Sequence, residues 1–289
     1  MTYVTETTVG DWVQSCTDKW SLQQVEPLTE TPRGWLFTCI SPDGPAVLKL
    51  HSEEGDDDLR ATDIMLGHWQ GQGAIALLQQ DGPAALLERA DGSRNLCNMV
   101  RDGQDIAACE VIATVASSLQ NHPAPQDRPA GVITLADRFA PLSGPVPDAA
   151  SPELEQAYAK AMRISDHLLG TADTPTLLHG DLHHENVLDA GPDRGWLAID
   201  PKGYWGEACY ELANPMVNPT HYTKRIATPD ILTGRAAFYA DRLGYDPDRL
   251  LQCALVEAAV ISRWCLEVFS DYDHFAIMAL ALEPLVKNP

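Results

Sequence analysis

Apolar residues fall in short runs over roughly the first ninety positions and in longer helical stripes thereafter. Gly34-Trp-Leu-Phe-Thr-Cys-Ile40 and Pro45-Ala-Val-Leu-Lys-Leu50 are two such runs, joined by Ser41-Pro-Asp-Gly44. Short apolar segments around Pro-Asp-Gly predict a hairpin. The polar stretch His51–Asp58 leads into helical spacing from about Asp57 to Trp69, stopped at Gly71 and Gly73. Two further runs, 74–78 and 84–88, read as strands. After Ala90, helical spacing covers Asp105–Leu119. Residues 120–150 are rich in Pro, Asp and Gly and read as a surface excursion. Leu154, Ala157, Ala161, Ile164 and Leu168 form one stripe over 153–169. A helix over 229–243 is expected, with Thr228 as N-cap and Pro229 at its first position, and two more over 248–269 and 275–285. The pattern predicts an α+β chain: a β-rich N-terminal lobe, residues 1–90, then a mainly helical lobe, residues 91–289. The joint lies in ERADGSRNL, residues 88–96.

Composition narrows the function. The chain has 289 residues, 45% of them hydrophobic, enough for a packed core. Lys plus Arg number 20 against 41 Asp plus Glu, a formal charge of −21. That balance argues against nucleic acid, whose phosphates favour a basic face, and suits a small cationic ligand, which a negative cleft concentrates. The longest apolar run near the end, Phe275–Leu282, is eight residues, against roughly 20 for a membrane span. The N-terminus has neither a basic n-region nor an apolar h-region, so no secretory signal is read there. Seven widely spaced cysteines without a CxxC pair fit reduced thiols in a cytoplasm rather than a disulfide framework or a zinc site. The expectation is a cytoplasmic monomer with no nucleic-acid or membrane partner.

The chemistry concentrates in Thr176-Leu-Leu-His-Gly-Asp-Leu-His-His-Glu-Asn-Val-Leu188 and Gly195-Trp-Leu-Ala-Ile-Asp-Pro-Lys202. Asp181 and Asn186 lie five residues apart on a polar loop between strand-like runs, and Asp200 ends the next apolar run. Two carboxylates and an amide oxygen suit a hard cation such as Mg²⁺, which is held by few protein ligands and by substrate phosphates. His179 and His183 are four apart, but without HExxH a catalytic zinc is not supported. His183 is expected to pack within the loop and His184 to be partly exposed. The acidic run Glu53–Asp58 reads as a solvated loop.

HGDLHHEN followed by Ile199-Asp200-Pro201 resembles the catalytic segment of protein-kinase-like phosphotransferases, in the aminoglycoside and small-molecule kinase form. The wider segment through GYWGEACYELANP is similar to the streptomycin 6-phosphotransferase and hydroxyurea kinase group. The resemblance implies a bilobal protein-kinase-like fold and an ATP- (or GTP-) and Mg²⁺-dependent transfer to a hydroxyl. It implies that Asp181 is the catalytic base, that His179 supports the loop, and that Asn186 and Asp200 hold Mg²⁺. Lys49 corresponds to the lysine on the α/β-phosphates, and Glu88-Arg89-Ala90 to the hinge that reads adenine through main-chain groups at Glu88 and Ala90. A hairpin over the phosphates falls near Glu30–Gly34, which departs from the protein-kinase G-x-G-x-x-G in having only Gly34. For the acidic partner of Lys49 the helix before Trp69 offers Asp63, with Asp58 and Glu54 as alternatives.

An acceptor site falls in the C-terminal helices. Candidates are Glu207 (with Glu211 nearby), and Glu257 with Trp264, seven apart on a similar helix face. Glu267, Asp271 and Asp273 are further acids of the same kind. The charge favours a cationic aminoglycoside, streptomycin first, over neutral hydroxyurea. A kinase of an amino alcohol or sugar shares the same loop. Gly180-Asp-Leu-His183 is also part of a metallophosphoesterase motif, but the Gly-Asn-His that completes it does not occur. A nucleotide-binding module without activity is disfavoured because Lys49, Asp181, Asn186 and Asp200 are all present.

Overall fold

The computed structural model describes residues 3–269 and 274–288. The chain forms two compact units: Met1–Ser93 with Leu188–Lys202, and Arg94–Val187 with Gly203–Pro289. The first boundary falls three residues beyond the expected one. The return of 188–202 to the first unit was not legible in the pattern of apolar runs.

The first unit is built on an antiparallel sheet of β1 (Gln23–Thr31), β2 (Gly34–Ser41), β3 (Gly44–His51), β4 (Leu77–Asp81) and β5 (Ala84–Glu88), in the order β1-β2-β3-β5-β4. The β2–β3 hairpin matches expectation. On β3, Ala46, Leu48 and Leu50 point to one face and are fully buried, so Lys49 must point to the other. Two elements escaped the sequence reading. One is β1, which is polar and almost entirely exposed. The other is the helix Val9–Trp20, which packs Cys16 and Trp20 into the core formed by Ala46, Leu48, Leu50, Ala84 and Leu86. The expected 57–69 helix is interrupted: Asp56–Ala61 runs into a π-turn, Thr62–Leu66, and then Gly67–Trp69.

The acidic run is therefore not a loop. Glu53–Gly55 is a single 3-10 turn, and three aspartates open the following helix, where negative charge complements the helix dipole. Strands Val187–Asp189 and Trp196–Ala198 pair with each other. Ala198 then bridges Ala74, with Ile75 N–H donating to its carbonyl at 3.0 Å.

The second unit is mainly helical. Its main helices are Asp105–Gln120, Pro152–Gly170, Pro229–Leu243, Pro247–Phe269 and His274–Leu282, the first four within a residue of expectation and the last ending three residues early in a 3-10 turn, Glu283–Leu285. All five residues of the stripe on 152–170 are buried. Thr228 occupies the N-cap position of its helix, but its hydroxyl makes no cap bond. Three short strands, Ile133–Thr134, Tyr204–Gly206 and Thr176–Leu178, form a sheet in that order. The stretch 120–150 is more than a surface excursion, because Val132, Leu135, Phe139 and Leu142 are buried in the core. None of the seven cysteines forms a disulfide. Among the described residues no helix is long and apolar enough to cross a membrane. Asp271 and Asp273 lie outside the described residues.

Candidate active site

In the first unit, Lys49 Nζ donates to Asp200 Oδ1 at 2.7 Å. Asp200 follows the strand Trp196–Ala198 with a left-handed φ of +56°, a conformation Asp tolerates better than most residues. Its other oxygen takes Lys202 Nζ at 3.4 Å. Burial opposes ionisation of Asp200, but Lys49 and Lys202 outweigh it and hold the carboxyl well below the usual range. Lys202 also donates to Asp58 Oδ1 at 2.9 Å. Asp58 is buried and takes Arg33 in a two-pronged bond, Nε at 2.5 Å and Nη2 at 3.0 Å. Burial pushes the Asp58 carboxyl up; Arg33 and Lys202 together pull it below its ordinary value.

Arg33 sits at the β1–β2 turn, in the expected phosphate hairpin. Ser52 pins that turn, its amide donating to Arg33 O at 3.1 Å and its hydroxyl to Pro32 O at 2.6 Å. Gly55 and Gly34 permit the close packing, since a Cβ on either would lie 2.1 Å from a backbone oxygen. His51 beside this cluster is buried, and burial with Lys49 nearby pulls it down to about 4, so it stays neutral near pH 7.

Asp63 is a correction. It is exposed on the π-turn, and the Lys49 ammonium pairs with Asp200. The buried acid of this helix is Asp58, and it serves Lys202 and Arg33. Glu88 ends β5. Its amide donates to Ala76 O at 2.9 Å, and its carboxylate takes Ala76 N at 2.9 Å and Arg194 Nε at 2.7 Å. Those bonds fix the course of the chain into Arg89 and half-buried Ala90.

In the second unit the strand Thr176–Leu178 delivers the loop 179–186. Glu211 holds the start of that loop. Its carboxylate accepts from His179 N at 2.7 Å and Gly180 N at 3.2 Å. Burial pushes Glu211 up to about 7; the two amides lower it and Asp181 raises it. Gly180 has φ +79°, and a Cβ there would meet the Tyr204 ring at 2.8 Å, so only glycine fits this turn. His179 is fully buried, its Nδ1 accepting from Asp181 N at 3.3 Å and its carbonyl from Gly203 N at 3.0 Å. These bonds tie His179 into the start of the loop.

Asp181 keeps 28% of its side chain exposed. Its Oδ2 accepts from Asn186 Nδ2 at 3.1 Å, and its Oδ1 from Asn214 Nδ2 at 2.7 Å. Asn186 Nδ2 also donates to Asp181 O at 2.9 Å. Both bonds commit the Asn186 nitrogen to Asp181, and its side-chain oxygen is the atom a cation would take. His183 packs within the loop as expected, its Nδ1 accepting from Glu185 N at 3.2 Å and its Nε2 3.6 Å from Asp181 Oδ1. His184 is a correction: it is buried rather than partly exposed, with neither ring nitrogen partnered.

Among the described residues no three His, Cys, Asp or Glu side chains gather as a metal site. Asn186, in the second unit, and Asp200, in the first, each carry an oxygen donor of the hard kind that suits Mg²⁺.

The acidic acceptor candidates already have partners inside the second unit. Glu257 is buried and already bound by Arg138 Nη2 at 2.7 Å and Tyr210 OH at 2.5 Å. Trp264, two turns along the same helix, is 57% exposed. Glu207 is buried and accepts from Arg249 Nε and Nη2, one bond to each carboxylate oxygen. Both carboxylates are thus neutralised internally, which corrects the expectation that they wait for a substrate cation. Residues missed from sequence are Lys202, Arg33, Asn214 and Asn218. The only signal was their nearness to the motifs: Lys202 two residues after Asp200, and Asn214 three after Glu211.

The fold is that of protein-kinase-like small-molecule phosphotransferases. Its course follows a thermostable variant of the aminoglycoside phosphotransferase APH(4)-Ia, solved as a ternary complex with AMP-PNP and hygromycin B. The TM-score is 0.65 at 16% identity, over 96% of this chain and 97% of that one. The sequence signature of aminoglycoside/hydroxyurea antibiotic resistance kinases matches residues 19–268, and the chain belongs to that family. It is 33% identical over 274 residues to streptomycin 3''-kinase from Klebsiella pneumoniae, covering 94% of this chain and 98% of that protein. It is 31% identical over 207 residues to streptomycin 6-kinase from Streptomyces griseus, covering 69% and 64% respectively. The chain is accordingly a phosphotransferase with an alcohol group as acceptor.

Proposed function

We propose that this protein transfers the γ-phosphoryl group of ATP, with Mg²⁺, to a hydroxyl of an aminoglycoside, with streptomycin the first acceptor to test. The observation that carries this reading is Asp181: a carboxylate on the HGDLHHEN loop, both oxygens oriented by amide donors, yet still open to solvent. Phosphoryl transfer asks little covalent work of a protein; positioning and charge neutralisation supply most of the rate. Asp181 orients the acceptor hydroxyl and takes its proton as the acceptor oxygen bonds to the γ-phosphorus. The bond from that phosphorus to the β,γ-bridging oxygen breaks, and ADP leaves with the electron pair. Lys49 binds the α/β-phosphates, and Glu88 and Ala90 meet adenine through the main chain. Asn186 and Asp200 hold Mg²⁺, which when bound neutralises charge on the phosphates. Streptomycin is supported by the two relatives named for it and by the charge of −21, which favours a cationic acceptor over hydroxyurea.

The test is ADP release by purified protein with ATP (GTP in parallel) and Mg²⁺, offered streptomycin, a deoxystreptamine aminoglycoside, hydroxyurea or choline, with Asp181→Asn as control. Streptomycin-dependent release, lost in the control, is expected. Mapping the product phosphate then assigns the hydroxyl, since the two relatives are named for different ones. Release with hydroxyurea or choline alone would replace the aminoglycoside reading.

A further inference from the structure

Asp181 is steered by two amides, and only Asn186 belongs to the expected motif. The other, Asn214, comes from the short helix Ala213–Met216 and is buried. We infer that Asn214 is a positioning residue for Asp181, fixing the carboxylate in the rotamer that faces the acceptor hydroxyl; this rests on the function proposed above.

The direction of the amide follows from chemistry. A carboxylate only accepts hydrogen bonds, so the atom 2.7 Å from Asp181 Oδ1 must be the Asn214 nitrogen. The reverse orientation would set two oxygens against each other. The other end of the amide is fixed in the same sense, because Asn218 Nδ2 donates to Asn214 Oδ1 at 2.7 Å and to Asn214 O at 3.1 Å. Asn218 is itself anchored: its carbonyl accepts from Arg235 Nη1 at 2.6 Å, and the same nitrogen takes the carbonyls of Pro215 and Met216 at 3.0 Å each. Arg235 is fully buried and pairs with Asp105 at 2.6 and 3.0 Å. An ion pair between two helices therefore locks the segment 215–218, that segment locks the Asn214 amide, and the amide locks the base. Fully satisfied buried polar chains of this kind are rigid.

Asn214→Asp isolates the role. It keeps size and the acceptor for Asn218, but replaces the donor toward Asp181 with a like-charged oxygen. The expected result is a fall in kcat of roughly tenfold to a hundredfold, with KM for ATP and for the acceptor within about threefold and the melting temperature largely kept, the signature of an interaction that serves the transition state. Asn218→Ala leaves the donor but frees its other end, and should give a smaller loss of kcat with the same split; it also keeps the question decidable if Asn214→Asp folds poorly. Wild-type kcat in Asn214→Asp, or kcat and both KM values falling in step with melting temperature in either variant, overturns the inference. Asp181→Asn runs alongside: if that variant still turns over, it is the base assignment that fails.

Discussion

The Asp200 and Asp181 regions each centre on a carboxylate, and they hold it in opposite ways. Asp200 is met by two ammonium groups, and its neighbour Asp58 by an ammonium and a guanidinium. Asp181 is met by two neutral amides, with His183 Nε2 3.6 Å from its Oδ1. Around Asp200 the three cations Lys49, Lys202 and Arg33 face the two anions Asp58 and Asp200, a local excess of one positive charge in a chain of −21. Charges arranged this way offset each other and can be re-paired when a more highly charged partner such as a polyphosphate arrives. A proton acceptor has a different need. A cation against Asp181 would stabilise its ionised form and make it a poorer base, whereas amide donors orient the carboxylate with less loss of basicity. One region is built to exchange charge, the other to keep geometry.

The same substitution at the two acids gives the sharpest contrast. Asp181→Asn should lower kcat by about a thousandfold, within the usual range for a general base, while nucleotide binding, followed by calorimetry with a non-hydrolysable analogue, stays near wild type. Asp200→Asn should chiefly weaken binding: the Mg²⁺ concentration for half-maximal activity and KM for ATP should each rise by roughly tenfold or more, because a neutral amide neither holds the cation as well nor pairs with Lys49. A normal Mg²⁺ titration in Asp200→Asn, or lost nucleotide binding in Asp181→Asn, would break the division of labour.

A smaller effect is expected one step out. Asp58→Asn removes the charge that holds Lys202 and Arg33 but touches neither Lys49 nor Asp200 directly. KM for ATP should rise a few-fold with kcat little changed. Arg33→Ala should add little to Asp58→Asn in a double-mutant cycle if the two act as one unit. Additive losses would mean that Arg33 has a role of its own.

How far the sequence reveals each region follows from the same contrast. The loop 179–186 and Asp200 are legible because the chemistry demands particular residues within a short span. Lys49 is legible only through the resemblance that segment carries; strand alternation, which buries Ala46, Leu48 and Leu50, merely sets it on the other face. Supporting groups are not. Asp63 and Asp58 share one helical stretch, and only packing places Asp58 against Arg33 and Lys202 while a π-turn carries Asp63 into solvent. Seven-residue spacing puts Glu257 and Trp264 on a similar face. The partners that bury Glu257, Arg138 and Tyr210, come from distant segments, one of them in the stretch read as surface. Asn214 looks like an ordinary polar residue in an apolar run until the fold carries it 33 positions back to Asp181.

The subtlest prediction concerns Glu211, which holds the His179 and Gly180 amides and whose carboxyl is raised to about 7 by burial. In the unfolded chain a glutamate titrates near 4.3. Between roughly pH 4.3 and 7, then, the unfolded state has lost the Glu211 proton and the folded state still holds it. Stability changes with pH as the protons bound unfolded minus those bound folded, so this residue makes stability fall as pH rises through that window and adds no slope outside it. Glu211→Gln cannot titrate and keeps one acceptor oxygen for the loop. Denaturant midpoints measured from pH 5 to 7 should therefore decline less with rising pH in Glu211→Gln than in wild type, while kcat at pH 7.5 falls only a few-fold, because the second loop amide now faces an NH₂ group. An unchanged pH slope would mean that Glu211 stays ionised throughout. The loop would then be held by a full negative charge close to Asp181, which would remove the distinction between a charge-exchanging region and one held mainly by neutral donors.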